Sequence, residues 1–358
     1  MKKLLSLLLA LAMVLALAAC GGNQGAQEEA PAEEPAQEET QEPEAAPEEE
    51  PAEEPAEAPA EEPAEETETV VTRVGSLKGP TSIGLVKLMS EDNANYSFTM
   101  ETDASALMTG MVSGDLDIAL IPANAAAIWY SKIESGVTCL DVNTLGVLYV
   151  ISADDSIASI EDLAGKTIYL PGQGTSPDYV LQYLLAQHDM SLEDVNVQYQ
   201  SEGTEVIAAL TADPEGVGLL PQPAVTAAVA KLEGFSVVLN LTEEWDKVSE
   251  TSLLTGVTVV RNEFLSQHPE AVAQFLTDHE ASTAYVAEDV AGAAQLTETF
   301  GIMEKAAVAE KAIPACNVTF VAGQEMKDMV SAYLQVLFDL NPASVGGNLP
   351  GDDFYYLG

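Results

Sequence analysis

The chain has 358 residues, of which 58 are acidic and 13 basic, for a formal net charge of −45. A polypeptide this acidic repels nucleic acid and anionic lipid headgroups, so nucleic-acid partners are excluded. Residues 70–358 alone carry 39 acidic and 11 basic residues, a net charge of −28. Their length, 289 residues, exceeds the usual range of a single hydrophobic core and predicts two lobes.

Residues 1–19 predict a signal peptide. Two lysines precede an apolar run, residues 4–17, that is too short to span a bilayer core of ~30 Å. The residues LAAC, which end at Cys20, resemble a bacterial lipobox. Cleavage before Cys20 and acylation of its sulfur are therefore expected, and an ordinary secretory signal is the alternative.

Residues 20–69 predict a disordered, lipid-anchored tether. From residue 23 onward the segment contains nineteen Glu, no Lys or Arg, and three copies of PAEEPA. With one sign of charge and alanine as its main apolar residue, it cannot bury enough surface to offset the entropy of ordering. A plain spacer is the favoured interpretation, and a binding segment for basic partners is the alternative.

From residue 70, short β-rich runs alternate with amphipathic helical patterns, which predicts an α/β fold with mainly parallel sheets flanked by helices. The first set of predicted elements is strand 70–75, helix 83–89, strand 96–100, a helix with apolar stripe Ala104, Leu107, Met108, Met111 and Val112, strand 117–122, helix 124–132 and strands within 137–152. A short connecting helix is predicted over 153–165. The second set is strand 166–170, helix 178–187, strand 195–200, helix 205–210, strand 217–220, helix 224–232, strand 235–239, strand 255–261 and late helices that include 324–340.

Five segments in order are similar to the solute-binding proteins of ABC importers, in the nitrate/sulfonate/taurine and thiamine-precursor group. The segments are VTRVGSLKGPTSIGLVKLM, GDLDIALIPAN, SIEDLAGKTIYLPGQGTSPDYVLQYLL, VGLLPQPAVTAAV and VVRNEFLSQHPEAVAQFL. The resemblance implies a two-lobed, type II periplasmic-binding-protein-like fold. Lobe 1 would comprise 70–152 and 256–358, and lobe 2 would comprise 153–255, with a hinge at each end of lobe 2.

The resemblance also implies a function. The protein would capture a small organic solute, either a sulfonate-like or taurine-like anion or a pyrimidine-like thiamine precursor, and deliver it to separate ABC permease and ATPase chains. It would act as a monomer on the extracytoplasmic face of the membrane, held there by lipidated Cys20. The alternatives are a same-fold enzyme and a structural surface lipoprotein.

Four loops are candidates for the ligand site, because ligands of open α/β sheets bind beyond the carboxyl ends of strands, where helix N-termini present free N–H groups. We call them the cleft loops: 77–82, 121–124, 172–178 and 219–223. Their candidate ligand-binding residues are Lys78, Gly79, Thr81, Ser82, Asn124, Gln173, Gly174, Thr175, Ser176 and Gln222. The hydroxyl residues could instead cap their own helices, Lys78 could be a solvated lysine, and residues 221–223 could be a turn.

No catalytic, metal or cofactor site is predicted. Each of the three histidines falls on what reads as the polar side of a helix, so His188, His268 and His279 are expected at the surface. No zinc-protease, nucleophile-elbow or phosphate-loop motif occurs. Cys139 and Cys316 are expected to be buried free thiols, with one disulfide as the alternative. Trp245, Tyr355 and Tyr356 are expected to pack in the interior rather than stack on a ligand.

Overall fold

The structure is a computed structural model and describes residues 70–134 and 136–358; the predicted signal peptide, Cys20 and the tether lie outside the described residues. Within these described residues, eleven strands form two sheets. In chain order the strands are β1 Thr72–Leu77, β2 Tyr96–Glu101, β3 Ile118–Pro122, β4 Val137–Leu145, β5 Leu148–Ser152, β6 Thr167–Pro171, β7 Asn196–Gln200, β8 Val217–Pro221, β9 Ser236–Asn240, β10 Leu254–Arg261 and β11 Val318–Ala322.

In the described part of the chain, thirteen α-helices flank these sheets. They are α1 Pro80–Ile83, α2 Val86–Met89, α3 Ala104–Ser113, α4 Ala123–Lys132, α5 Ser176–Gln187, α6 Gly203–Ala212, α7 Ala224–Lys231, α8 Leu241–Val248, α9 Asn262–Gln267, α10 Pro269–Glu288, α11 Val290–Thr299, α12 Ala306–Ala312 and α13 Gly323–Leu340. None of the helices in this part of the chain is long and apolar enough to cross a membrane.

The first sheet has the strand order β11-β4-β10-β3-β1-β2, and the second has the order β7-β6-β8-β5-β9. We call the first sheet with its helices lobe 1, and the second sheet with its helices lobe 2. The predicted α/β class and the two-sheet architecture are confirmed.

The predicted predominance of parallel pairing is wrong in detail, because four strand pairs are parallel and five are antiparallel. Each parallel pair lies within one lobe, and its strands belong to a run of alternating strands and helices. The antiparallel pairs mostly involve β5 and β10, the strands next to the two crossings between lobes. A strand that enters a sheet from the other lobe runs against its neighbours, and local sequence patterns do not report this direction.

The chain crosses between lobes at 146–147 and at 249–253. Strand β5, which the sequence analysis assigned to lobe 1, pairs with β8 and β9 in lobe 2, so the first crossing precedes the predicted boundary at 152. The break between β4 and β5 falls at Gly146, where the Thr242 side chain lies against the backbone and leaves no room for a Cβ atom. The sequence from 137 to 152 reads as nearly continuous strand because all but one of the residues in β4 and β5 are buried.

Three local predictions differ from the structure. The helix predicted at 83–89 is two short helices, and the helix predicted at 153–165 is a single 3-10 turn, Glu161–Leu163. The carboxylate of Asp162, within that turn, accepts the Ser159 N–H at 2.9 Å. Val112, placed on the apolar stripe of α3, is 62% exposed, whereas Leu107 and Met111 are buried. The stripe is therefore narrower than the sequence pattern suggests.

Candidate functional site

The cleft loops lie at the carboxyl ends of four strands. Residues 77–82 follow β1 and residues 121–124 follow β3 in lobe 1, whereas residues 172–178 follow β6 and residues 219–223 follow β8 in lobe 2. In each sheet these two strands are parallel to one another or to a shared neighbour, so their loops open on the same edge. This is the geometry in which open α/β sheets hold ligands.

One hydrogen bond joins two cleft loops across the lobes. The Ser176 hydroxyl, at the start of α5 in lobe 2, donates to the Asn124 side-chain oxygen, at the start of α4 in lobe 1, over 3.2 Å. Asn124 is 8% exposed and its amide nitrogen also lies 3.5 Å from the Ser344 carbonyl oxygen. Two of the predicted residues, from lobes that are distant in sequence, are therefore in contact.

In the β1–α1 loop, the two hydroxyl residues are used within the loop itself. Thr81 donates to the Leu77 carbonyl oxygen at 2.9 Å, and Ser82 donates to the same oxygen at 2.5 Å. Both are buried. Lys78 is exposed, and Gly79 has a φ of 151°, with open space where a Cβ atom would stand. The hydroxyls shape the loop, while Lys78 and the Gly79 backbone face outward.

The β6–α5 loop likewise combines a hydroxyl that is bonded within the loop with residues that are exposed. The Thr175 hydroxyl donates to the Gly172 carbonyl oxygen at 2.6 Å, and both Gly172 and Gly174 have left-handed φ angles, 69° and 72°. Such angles are accessible to glycine at little conformational cost. Gln173, Gly174 and Thr175 are exposed. The helix begins at Ser176, two residues earlier than predicted, with Thr175 as its N-cap.

Gln222 is 5% exposed, and both its side chain and its backbone are held by hydrogen bonds. Its side-chain oxygen accepts from the Thr226 hydroxyl at 2.8 Å, and its backbone N–H donates to the Val147 carbonyl oxygen at 2.8 Å. The second bond ties this cleft loop to the first crossing between the lobes.

A polar cluster that was not predicted from the sequence lies beneath the β1–α1 loop. Asn143 donates to the Thr258 hydroxyl at 3.1 Å, and Thr258 donates to Asp141 at 2.8 Å; all three are buried. Gly256, next to Asn143 and Thr81, has no room for a Cβ atom. The available signal was the occurrence of Asp141, Asn143 and Thr144 in the second half of a strand that contains one other polar residue, Thr138.

The cluster continues to His279, which is fully buried and not at the surface as predicted. Its Nδ1 atom lies 3.4 Å from an oxygen of Asp141, and its ring stacks on Phe275 with the centroids 5.4 Å apart. The prediction failed because α10 is covered on two sides, by the sheet and by α2 and α11, so a polar residue is buried on a face that reads as solvated. His188 is half-buried rather than fully exposed: its side chain is 18% exposed, and its Nδ1 atom lies 2.8 Å from exposed Glu161.

Both arginines of the chain lie far from the cleft loops. Arg73, at the start of β1, and Arg261, at the end of the antiparallel β10, bind the carboxylate of Asp117 at the amino end of β3. Burial alone would raise the pKa of Asp117, but hydrogen bonds from Arg73 and Arg261 outweigh it, and the pKa lies below its usual value. Among the candidate residues, Lys78 is therefore the only cation.

Aromatic side chains bridge the lobes. The rings of Tyr183 on α5 and Trp245 on α8 have centroids 4.3 Å apart, and Trp245 lies 5.8 Å from the ring of Tyr333 on α13 in lobe 1. Trp245 is fully buried. Trp245 and Tyr355 thus pack in the interior, as predicted. Cys139 and Cys316 are buried free thiols, also as predicted.

Two surface cavities lie at the opposite ends of the strands from the cleft loops. One, of about 470 Å³, is lined by residues at the starts of β1, β2 and α10. The other, of about 510 Å³, is lined by residues before and at the start of β6 and just before β8. Neither cavity is lined by a predicted ligand-binding residue.

Comparison with known proteins supports the fold. The sequence model of the NMT1/THI5-like family matches residues 131–293. A protein of Brucella abortus (strain 2308) named "Putative binding protein" is 22% identical over 245 residues, which is 67% of this chain and 74% of that protein.

Three solved structures are similar over most of their lengths. An ABC transporter structure from Parabacteroides distasonis has a TM-score of 0.69 and 21% identity, covering 81% of this chain and 99% of that one. The periplasmic aliphatic sulphonate binding protein of Escherichia coli has a TM-score of 0.63 and 15% identity, covering 80% and 95%. The alkanesulfonate-binding protein of Xanthomonas axonopodis pv. citri, bound to MOPS, has a TM-score of 0.60 and 16% identity, covering 81% and 97%.

The chain therefore has the periplasmic-binding-protein fold and contains an NMT1/THI5-like region. The resemblance to the substrate-binding proteins of ABC importers, inferred from the sequence, is confirmed at this level.

Proposed function

We propose that this protein is an extracytoplasmic solute-binding lipoprotein that captures a small organic solute between its lobes and delivers it to an ABC permease. The observation that carries the proposal is the bond between Ser176 and Asn124, because it brings helix N-termini from two lobes together at the carboxyl edges of their sheets. The fold shared with ABC-importer proteins supports the same conclusion.

The proposed mechanism is closure about the two crossings. Gly146 at the first crossing is held by Asn317, whose side-chain amide donates to the Gly146 carbonyl oxygen and whose own carbonyl oxygen accepts the Leu145 N–H at 3.0 Å. Rotation at 146–147 and 249–253 would open the loops to solvent. Closure would bury the solute and exclude water, as in other hinged binding proteins.

Two solute classes are candidates. The names of two structural neighbours refer to sulfonates, which favours an organic sulfonate or taurine-like anion. The NMT1/THI5-like match and the thiamine-precursor resemblance favour a pyrimidine-like compound. Lys78, Gly79, Gln173 and Thr175 are the proposed first contacts, with Asn124, Ser176 and Gln222 as groups that reorient when a solute enters.

The test is a thermal-shift screen of the full chain in detergent against sulfonates, nitrate, taurine, thiamine precursors, nucleobases and amino acids. A solute that binds only the folded state raises the melting temperature by mass action. At a hundredfold excess over Kd, it raises the free energy of unfolding by about 2.7 kcal/mol. A saturable hit that Lys78→Ala and Gln222→Ala weaken supports the proposal. Turnover of a hit would favour a same-fold enzyme, and silence across the panel would favour a structural lipoprotein.

The anchor has a separate test. Cys20→Ala is expected to abolish incorporation of radiolabelled palmitate and to release the protein from the membrane fraction. A membrane-bound, unlabelled wild-type protein would contradict lipidation while leaving solute binding unaffected.

A further inference from the structure

The first turn of α5 contains a buried carboxylate directly behind a cleft loop. Asp178 is 2% exposed. One of its oxygens accepts the Gly174 N–H at 2.8 Å, and the other accepts from the Gln182 amide at 2.8 Å and from the Tyr199 hydroxyl at 2.9 Å. All three donors are neutral, and no Lys, Arg or His nitrogen of residues 70–134 or 136–358 lies within 4.0 Å of it.

An ionised carboxylate only accepts hydrogen bonds, and the two oxygens of Asp178 accept three. Burial is the larger cause, and the hydrogen bond to Asp178 the second, of a rise in the pKa of the Tyr199 phenol to about 12. A negative charge is therefore held inside lobe 2, a few residues from the exposed part of the loop.

This charge occupies the place where an anionic ligand would otherwise be stabilised. The positive end of a helix dipole and its free N–H groups attract anions, and a carboxylate in the first turn satisfies both. Here Asp178 lies at the third position of α5 and takes the Gly174 N–H, so that group is not available to a ligand. Among the candidate ligand-binding residues the one cation is exposed Lys78, and both arginines are bound to Asp117 at the opposite end of the lobe 1 sheet.

We propose that Asp178 is a specificity-determining residue that makes the cleft select solutes without a net negative charge and discriminate against fully ionised anions such as sulfonates. This inference rests on the proposed function of the cleft. It resolves the two solute classes above in favour of an uncharged or cationic compound. The domain charge of −28 acts in the same direction.

A purely structural role for Asp178, fixing the start of α5, predicts a different result. Asp178→Asn would then only lower stability and weaken all ligands together. The proposal instead predicts a gain of anion binding, since removal of one charge near a ligand is worth roughly 1–2 kcal/mol, or about tenfold in affinity. Gln182→Lys provides a second variant, because it places a cation beside Asp178 and neutralises its charge without removing the acceptor.

The experiment measures ethanesulfonate binding to the full chain in detergent by isothermal titration calorimetry. Asp162→Asn is the matched control, since Asp162 also accepts a backbone N–H in lobe 2 but is exposed and lies away from the cleft loops. Ethanesulfonate should bind the wild type and Asp162→Asn weakly, and should bind Asp178→Asn and Gln182→Lys about tenfold more tightly.

Equal affinity in all four proteins, or tight binding of ethanesulfonate by the wild type, would overturn the inference and leave the proposed function standing. Failure of all four proteins to bind ethanesulfonate or any compound of the solute panel would overturn the proposed function itself, and the inference with it.

Discussion

At the scale of single residues, the two arginines serve the fold and not the ligand site. Asp117 is fully buried and receives hydrogen bonds from the guanidinium groups of Arg73 and Arg261, at the end of the sheet away from the cleft loops. A buried carboxylate without partners costs several kcal/mol, so each guanidinium offsets a desolvation penalty. The consequence is that β1, β3 and β10 are joined at one point in lobe 1.

Replacing Asp117 should therefore destabilise the protein strongly. Asp117→Asn leaves the buried Arg261 guanidinium with exposed Glu263 as its remaining ionic partner, and it should lower the free energy of unfolding by about 3–5 kcal/mol at pH 7. Urea denaturation of the variant, compared with Asp115→Asn, measures this difference. Asp115 is an exposed neighbour that accepts only from the Ser113 hydroxyl, and its replacement should have little effect.

The ion pairs of Asp117 with the two arginines also predict a pH dependence of the stability. The pKa of Asp117 is lower in the folded chain than its ordinary value of ~3.9, so the carboxylate stabilises the fold above that pH. This contribution is lost as the pH falls through the folded-state pKa. The stability difference between wild type and Asp117→Asn should be constant from pH 7 to about pH 5 and shrink below pH 4. A difference that grows on acidification would contradict the assignment.

At the scale of elements, α8 connects the lobes. The helix begins with an Asn240 cap, whose side-chain oxygen accepts the Thr242 N–H at 3.1 Å, and two glutamates follow in its first turn. These features are the usual signature of a helix start, and the sequence analysis overlooked them. The helix positions Trp245 between Tyr183 of lobe 2 and Tyr333 of lobe 1.

Because Trp245 contacts both lobes, its fluorescence should report their movement. A solute that passes the thermal screen should change the emission of the wild type and of Trp129→Phe, but not of Trp245→Phe. The chain has two tryptophans, so the two variants assign the signal completely. A change that survives in Trp245→Phe and disappears in Trp129→Phe would place the movement elsewhere in lobe 1.

The C-terminal segment packs on lobe 1. Phe354 is fully buried, its ring lies 5.3 Å from that of Tyr130, and the Tyr356 N–H donates to the Cys139 carbonyl oxygen at 2.9 Å. The segment thus continues the edge of the first sheet beside β4, where Cys139 and Tyr355 form a bridge.

Truncation should separate its structural part from its exposed end. Removal of residues 352–358 takes away the Phe354 side chain and should lower the free energy of unfolding by about 3–5 kcal/mol. Removal of residues 357–358 alone deletes Leu357, which is 53% exposed, and should have little effect. Guanidinium denaturation of the two truncated proteins gives the comparison, and equal midpoints would show that the segment does not hold the sheet.

At the scale of the whole molecule, excess negative charge opposes the folded state. Residues 70–358 carry a net charge of −28, and like charges repel more strongly in the compact form than in the extended one. Dissolved salt screens this repulsion, with a Debye length that falls from about 30 Å at 0.01 M to about 3 Å at 1 M.

The melting temperature should therefore rise with ionic strength. Between about 0.01 and 0.5 M NaCl we expect a gain on the order of 1 kcal/mol, which corresponds to roughly 2–4 °C. A scan in sucrose of equal osmolality controls for solvent exclusion. A melting temperature that falls with NaCl would mean that local ion pairs, such as those of Asp117, outweigh the general repulsion.

Local sequence patterns determined the α/β class, most strand positions and the four loops, because these depend on the spacing of apolar residues and on capping and turn residues near one another in the chain. The motif order was sufficient to suggest the type of binding protein. Burial of His279 and the placement of Asp141, Asn143 and Thr258 in one polar cluster were decided by tertiary structure, since their partners come from distant strands and helices. The lobe assignment of β5, the antiparallel course of β10 and the contact between Ser176 and Asn124 were likewise decided by how the chain crosses between two sheets, which no local pattern encodes.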